Sequence, residues 1–164
     1  MEILKNINKS PAGSTPKSNH SPSYYIHSAG LFLLILLWSY AVFIKLEDWP
    51  LYTRQMQEQP FSPAIKSTLI FAIPILEGIA ALLLILKFRL LGLWISMLLL
   101  LGFTVYVVLV LARFFPSVPC SCGGMISRMG WKSHLWFNLV FIFLIVHSFW
   151  FEVKKKGGSL AEKR

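Results

Sequence analysis

The chain has 164 residues, 55% of them hydrophobic and 14% charged, with a mean hydropathy of +0.62. A water-soluble domain of this length does not carry that balance, and the apolar residues are gathered into blocks. A net charge of +9 would suggest nucleic acid in a soluble protein; here the excess lies in flanks and tails, where Lys and Arg set membrane topology, and no nucleic-acid partner is expected.

Residues 1–23 are polar, rich in Ser, Pro, Asn and Lys and without apolar periodicity, which predicts a disordered cytoplasmic tail. Four apolar blocks follow, at roughly 28–46, 67–87, 90–112 and 134–151. About 20 residues at ~1.5 Å each cross a ~30 Å hydrocarbon core, so each block reads as a transmembrane helix. The first block ends in Ile44-Lys45-Leu46-Glu47 with no small-residue cleavage pattern, which argues for a retained helix rather than a removed signal. The expected fold class is all-α: a polytopic membrane protein with a four-transmembrane-helix bundle over 27–151, flanked by tails at 1–26 and 152–164, with the lipid bilayer as its first partner.

Short connections alternate the blocks across the membrane. Lys5, Lys9, Lys17, Lys87, Arg89, Lys154, Lys155, Lys156, Lys163 and Arg164 fall on one side, ten in all. Lys45, Arg54, Lys66, Arg113, Arg128 and Lys132, six in all, fall on the other. The positive-inside rule then favours cytoplasmic termini and places the connection between the third and fourth helices outside.

Between the first two helices, Trp49, Pro50, Leu51, Tyr52, Met56 and Phe61 stand among charges, the pattern of a short amphipathic segment at the outer interface. Trp49, Tyr52, Trp131 and Trp136 would form an outer aromatic belt, with Tyr24, Tyr25, Trp94 and Trp150 near the inner one. The second helix carries Glu77 near the middle of its span, and Pro74, Glu77, Gly78 and Ala81 share one face at i, i+3, i+4, i+7 spacing. A carboxylate at that depth belongs in the bundle interior, protonated or hydrogen-bonded to a group such as Tyr106, Thr104 or Tyr40; a proton-relay or quinone-contact role is the functional alternative. The third helix is apolar nearly all round, interrupted by Ser96, Gly102, Thr104 and Tyr106. The fourth opens with His134 and Asn138, an i, i+4 pair, and carries His147 near its far end, where a packing role is the simpler reading.

Cys120 and Cys122, the two cysteines of the chain, lie in the third connection and are followed by Gly123 and Gly124. Alpha carbons two residues apart in an extended chain are separated by at most about 7 Å. Disulfides accept roughly 4.4–6.8 Å, so a Cys120–Cys122 bond is feasible but strained. Strain makes a disulfide a better oxidant, and so small a loop contributes little stability, which argues against a staple. The glycines permit positive φ and expose N–H groups toward a thiolate, which Arg128, Lys132 and His134 would also favour. Three readings stand at this point: a redox-active dithiol; soft-metal binding, Cu(I) above all, with Met125, Met129 or His134 helping; or cysteines incidental to a structural loop. Two cysteines alone cannot make a four-sulfur zinc site, so no structural metal is expected.

Four helices, a mid-membrane Glu in the second, and a third connection reading Pro119-Cys120-Ser121-Cys122-Gly123-Gly124 before a Trp-led fourth helix resemble the MauE/DoxX family of redox-associated membrane proteins. The resemblance covers roughly 27–151. It implies a four-helix bundle in the bacterial cytoplasmic (inner) membrane, with Cys120 and Cys122 as the working pair and Glu77 second. It also implies a thioredoxin-like or periplasmic client partner whose disulfides the protein helps to form, and quinone as the cofactor of a coupled oxidation. DsbB-type and vitamin K epoxide reductase-type proteins offer a mechanistic analogy but use two cysteine pairs, where this chain has one. The expected function is therefore that of a membrane thiol/disulfide redox protein. The alternative is a non-enzymatic membrane subunit for copper handling or complex assembly.

Overall fold

The computed structural model describes residues 22–86, 88–115 and 130–161. Five helices follow in chain order: α1 (Pro22–Glu47), α2 (Trp49–Gln57), α3 (Pro63–Ile85), α4 (Arg89–Leu111) and α5 (Trp131–Ala161). Four of them, α1, α3, α4 and α5, are long and apolar enough to cross a membrane. The described residues contain helices and no strand. The all-α, four-span reading therefore holds.

Proline and polar caps set the helix starts. Pro22 opens α1, Pro50 lies in the first turn of α2 and Pro63 opens α3, positions where a missing N–H costs nothing. Asp48 caps α2, its Oδ1 accepting the Leu51 N–H at 3.0 Å. The end of α4 closes with a Schellman pair: Phe114 N–H donates to the Leu109 carbonyl and Arg113 N–H to that of Val110, both at 3.0 Å. Arg113 takes the left-handed conformation this requires (φ 55°), where glycine is the usual occupant.

The four long helices pack in a ring in which each touches its neighbours in sequence and α5 closes back onto α1. Leu34, Leu84, Leu93, Leu100 and Ile145 fill the centre. Across the bundle, Trp38 of α1 donates its indole N–H to Ser96 Oγ of α4 at 2.8 Å, with both side chains buried. Small residues permit the closest approaches. A Cβ on Gly92 would lie 3.0 Å from the backbone nitrogen of Leu84, and one on Gly30 would lie 3.1 Å from Ser148 Oγ.

The outside is as apolar as the inside. Phe32, Leu36, Phe43, Phe71, Ile75, Leu98, Val105 and Phe143 all point outward. Such a surface would drive association in water, whereas in lipid it is the solvated surface.

An even number of spans brings both ends of the domain to one face. His27 near the start of α1, Arg89 at the start of α4 and Glu152 toward the end of α5 meet there. The opposite face carries α2, the α2–α3 corner and the two stems of the 116–129 connection. Here these are the termini face and the loop face.

Helix boundaries differ from the sequence reading, most of all at two ends. α1 begins at Pro22 rather than 28, and α5 runs on to Ala161, well past 151. Each extension is stabilised by the other: His27 stacks on Phe151 (centroids 4.4 Å apart) and pairs with Glu152. Tyr52 is also not an interfacial belt residue. It is buried with Met56 and Ile70 where α2 lies along α3.

Candidate functional site

The proposed chemistry falls on residues that the structure does not describe: Cys120, Cys122, Gly123, Gly124 and Arg128 all lie within 116–129, outside the described residues. What is described is the platform from which that connection springs. Tyr106 of α4 is its hub. The phenol O–H donates to Gln59 Oε1 of the α2–α3 corner, and Gln59 is buried and donates in turn to the Gln55 carbonyl. Around the Tyr106 ring stand Phe61 (5.9 Å), Phe115 (6.1 Å) and Trp131 (6.3 Å), so both stems of the connection rest on one aromatic group.

Below this collar, the first turns of α5 hold His134 and Asn138 on the buried seam, one turn apart as their spacing requires. Asn138 is 2% exposed. His134 Nδ1 and Asn138 Nδ2 are both buried and have no hydrogen-bond partner among the described residues. Buried polar groups are nearly always satisfied, so these two atoms call for partners that the described residues do not supply.

Glu77 lies 14 residues beyond Pro63, about 21 Å along α3 at ~1.5 Å per residue, and is 1% exposed. Its face is the expected one, with Pro74 and Ala81 also buried. Its partner is not. Tyr106 bonds Gln59, and Thr104 Oγ1 donates to the Leu100 carbonyl at 2.6 Å. The carboxylate is instead gripped by Lys45, whose Nζ lies 3.0 Å from both Oε1 and Oε2 and 3.1 Å from the Ala41 carbonyl. All three ammonium protons are thereby used. Lys45 belongs to the last turn of α1 on the loop face, but a helical side chain leans toward its own N-terminus, which here carries the ammonium inward. A charge assigned to the aqueous flank is in fact the counter-ion of the buried acid.

A second polar cluster, on the termini face, had no counterpart in the sequence reading. His27 Nε2 lies 3.1 Å from Glu152 Oε1, and Arg89 Nη1 lies 3.5 Å from the same oxygen. Ser23 Oγ is 3.4 Å from His147 Nε2. These contacts tie α1, α4 and α5 together at the end opposite the two stems of the 116–129 connection, and they support a packing role for His147. Glu152, an acid one residue past the last apolar block and just ahead of three lysines, was the available signal.

Among the described residues, no group of three or more His, Cys, Asp or Glu is placed to hold a metal. The arrangement offers a polar, aromatic-walled platform on the loop face, a compensated carboxylate at mid-depth, and a lock on the termini face. The chain shows no match to a curated protein or to a solved structure. The family model described as methylamine utilisation protein MauE matches residues 23–151. That span takes in α1 from its second residue, α2, α3, α4, the cysteine-bearing connection and α5 as far as Phe151, and on it the chain belongs to the MauE family of membrane proteins.

Proposed function

We propose that this protein is an integral membrane thiol/disulfide redox protein, with Cys120 and Cys122 as its working couple. It assists disulfide formation in client or thioredoxin-like partner proteins on the loop face. The observation that carries the reading is that both cysteines of the chain sit two residues apart in the one connection joining α4 to α5, away from both termini. Membership of a methylamine-utilisation family supports a membrane role in that process; the redox step is our own addition.

In the first step a client thiolate attacks one sulfur of the Cys120–Cys122 disulfide, and a mixed disulfide forms as the other cysteine leaves as a thiolate. The second client thiol then displaces it. The client gains a disulfide and Cys120 and Cys122 become a dithiol. Regenerating the disulfide releases two electrons and two protons, which a quinone would accept in becoming a quinol. His134 and Asn138 lie at the base of the connection, where a hydrogen-bonding group assists either partner.

The orientation we propose has both termini in the cytoplasm of a bacterium and the loop face outside its inner membrane. The excess of Lys and Arg on the termini side, ten against six along the sequence, supports this orientation. Replacing either cysteine with Ser should abolish thiol exchange with the client. Normal client oxidation by the Cys120→Ser/Cys122→Ser double variant would overturn the proposal.

A further inference from the structure

A cavity of about 340 Å³ opens on the loop face where α1 turns into α2, lined by Ile44, Lys45, Glu47, Asp48, Leu51, Tyr52 and Gln55. At ~30 Å³ per molecule it has room for on the order of ten waters. Its mouth carries the exposed carboxylates of Glu47 and Asp48, which favour cations, hydronium included. Its inner wall is Lys45, and behind Lys45 lies Glu77. The two side chains are 12% and 2% exposed. The ammonium thus stands between the cavity and an otherwise sealed carboxylate.

We propose that the Lys45–Glu77 pair is a proton-exchange site, loaded and unloaded through this cavity from the aqueous phase on the loop face. The inference stands apart from the thiol chemistry, since it uses no residue of the 116–129 connection. The first step is a transfer along a hydrogen bond already in place, and the second needs the amine to turn from the Ala41 carbonyl toward the cavity. A proton moves from Nζ to Oε1 or Oε2 over 3.0 Å, turning the ion pair into a neutral amine and a neutral acid. The amine then takes a proton from hydronium in the cavity, leaving water and a pair that holds one proton more than before. Unloading reverses both steps. In a low-dielectric interior the neutral and ionic forms of such a pair lie closer in energy than in water, which makes the first transfer accessible.

The charged groups nearest the pair are the carboxylates of Glu47 on α1 and Asp48 at the cap of α2, which line the same cavity as Lys45. From α2 the Tyr52 ring also lies 5.9 Å from Nζ, and its hydroxyl donates to the Leu69 carbonyl. The only charged residue of α4, Arg89, is at the opposite face and is engaged with Glu152.

Infrared difference spectroscopy on the full chain in lipid nanodiscs tests this. Between alkaline and acid buffer, the wild type should gain the carbonyl-stretch band of a protonated carboxyl in an apolar setting, and transfer to D2O should shift it promptly. Glu77→Gln should lose the band, and Glu77→Asp should move it. Lys45→Met should show the band at every pH, because the acid then has no counter-ion. A wild-type spectrum with no such band at any pH, or a band that Glu77→Asp leaves in place, would overturn the proposal and leave a static ion pair. Should Glu77→Gln fail to fold, the wild-type and Glu77→Asp spectra decide the matter alone.

Discussion

Removing Lys45 should damage this protein more than removing Glu77, although each change breaks the same pair. At 3.0 Å and an effective dielectric constant of ~20, the Coulomb attraction is about 5–6 kcal/mol before desolvation. Lys45→Met strands a carboxylate that is 1% exposed and has no other donor among the described residues. Stranding one member of a buried pair costs about 3–5 kcal/mol. Protonating the acid limits the loss, since neutralising a free Glu at pH 7 costs roughly 3.7 kcal/mol. Glu77→Gln strands an ammonium instead, but Lys45 is two residues from the end of α1 and its long stem can swing to water on the loop face. Its cost should be nearer ~1–2 kcal/mol, the scale of a lost charged hydrogen bond. The double variant Lys45→Met/Glu77→Leu removes both charges and should recover most of the loss. SDS-induced unfolding in mixed micelles, followed by tryptophan fluorescence, ranks the variants. Equal costs for the two single variants, or a double variant as weak as Lys45→Met, would refute the reasoning.

Three further outcomes follow from the fold and are read by the same unfolding assay. Ser96→Ala leaves the Trp38 indole N–H unsatisfied in the bundle centre and should cost about 1–3 kcal/mol. Gly92→Ala puts a methyl 3.0 Å from the Leu84 backbone nitrogen at the α3–α4 turn and should cost about 1–3 kcal/mol, as overpacking does. Arg113→Gly relieves a left-handed residue at the end of α4 and should be neutral to stabilising by up to ~1 kcal/mol; a loss of stability would mean that the Arg113 side chain itself holds the stem of the connection.

The four spans were legible in the sequence because membrane helices announce themselves by composition, with no need of periodicity. The buried face of α3 was legible too, since Pro74, Glu77 and Ala81 follow helical spacing. What escaped was decided by contacts far apart in the chain. Ser23 reads as polar tail, Tyr24 as a belt residue and His27 as the edge of the bundle, until Phe151, His147 and Glu152, more than 120 residues away, supply their packing and their partners. Lys45 reads as a flanking charge by position, and only the backward lean of helical side chains turns it toward Glu77. That rule is general, so the pair was within reach of a reading that used side-chain direction as well as charge. Tyr52 misleads in the opposite way: an aromatic near the interface suggests a belt, but the short α2 lies down on α3 and buries it against Ile70. The cysteine motif was the plainest signal in the chain, and the chemistry proposed for it rests on the sequence.

The most direct measurement is a redox titration of Cys120 and Cys122 in right-side-out and inside-out membrane vesicles, read with a membrane-impermeant maleimide after poising with thiol buffers. The account predicts that both thiols lose and regain reactivity together at a single midpoint, with the label reaching them only from the side opposite the termini. Thiols that stay reactive at every potential, or that react only from the side carrying the termini, would contradict it.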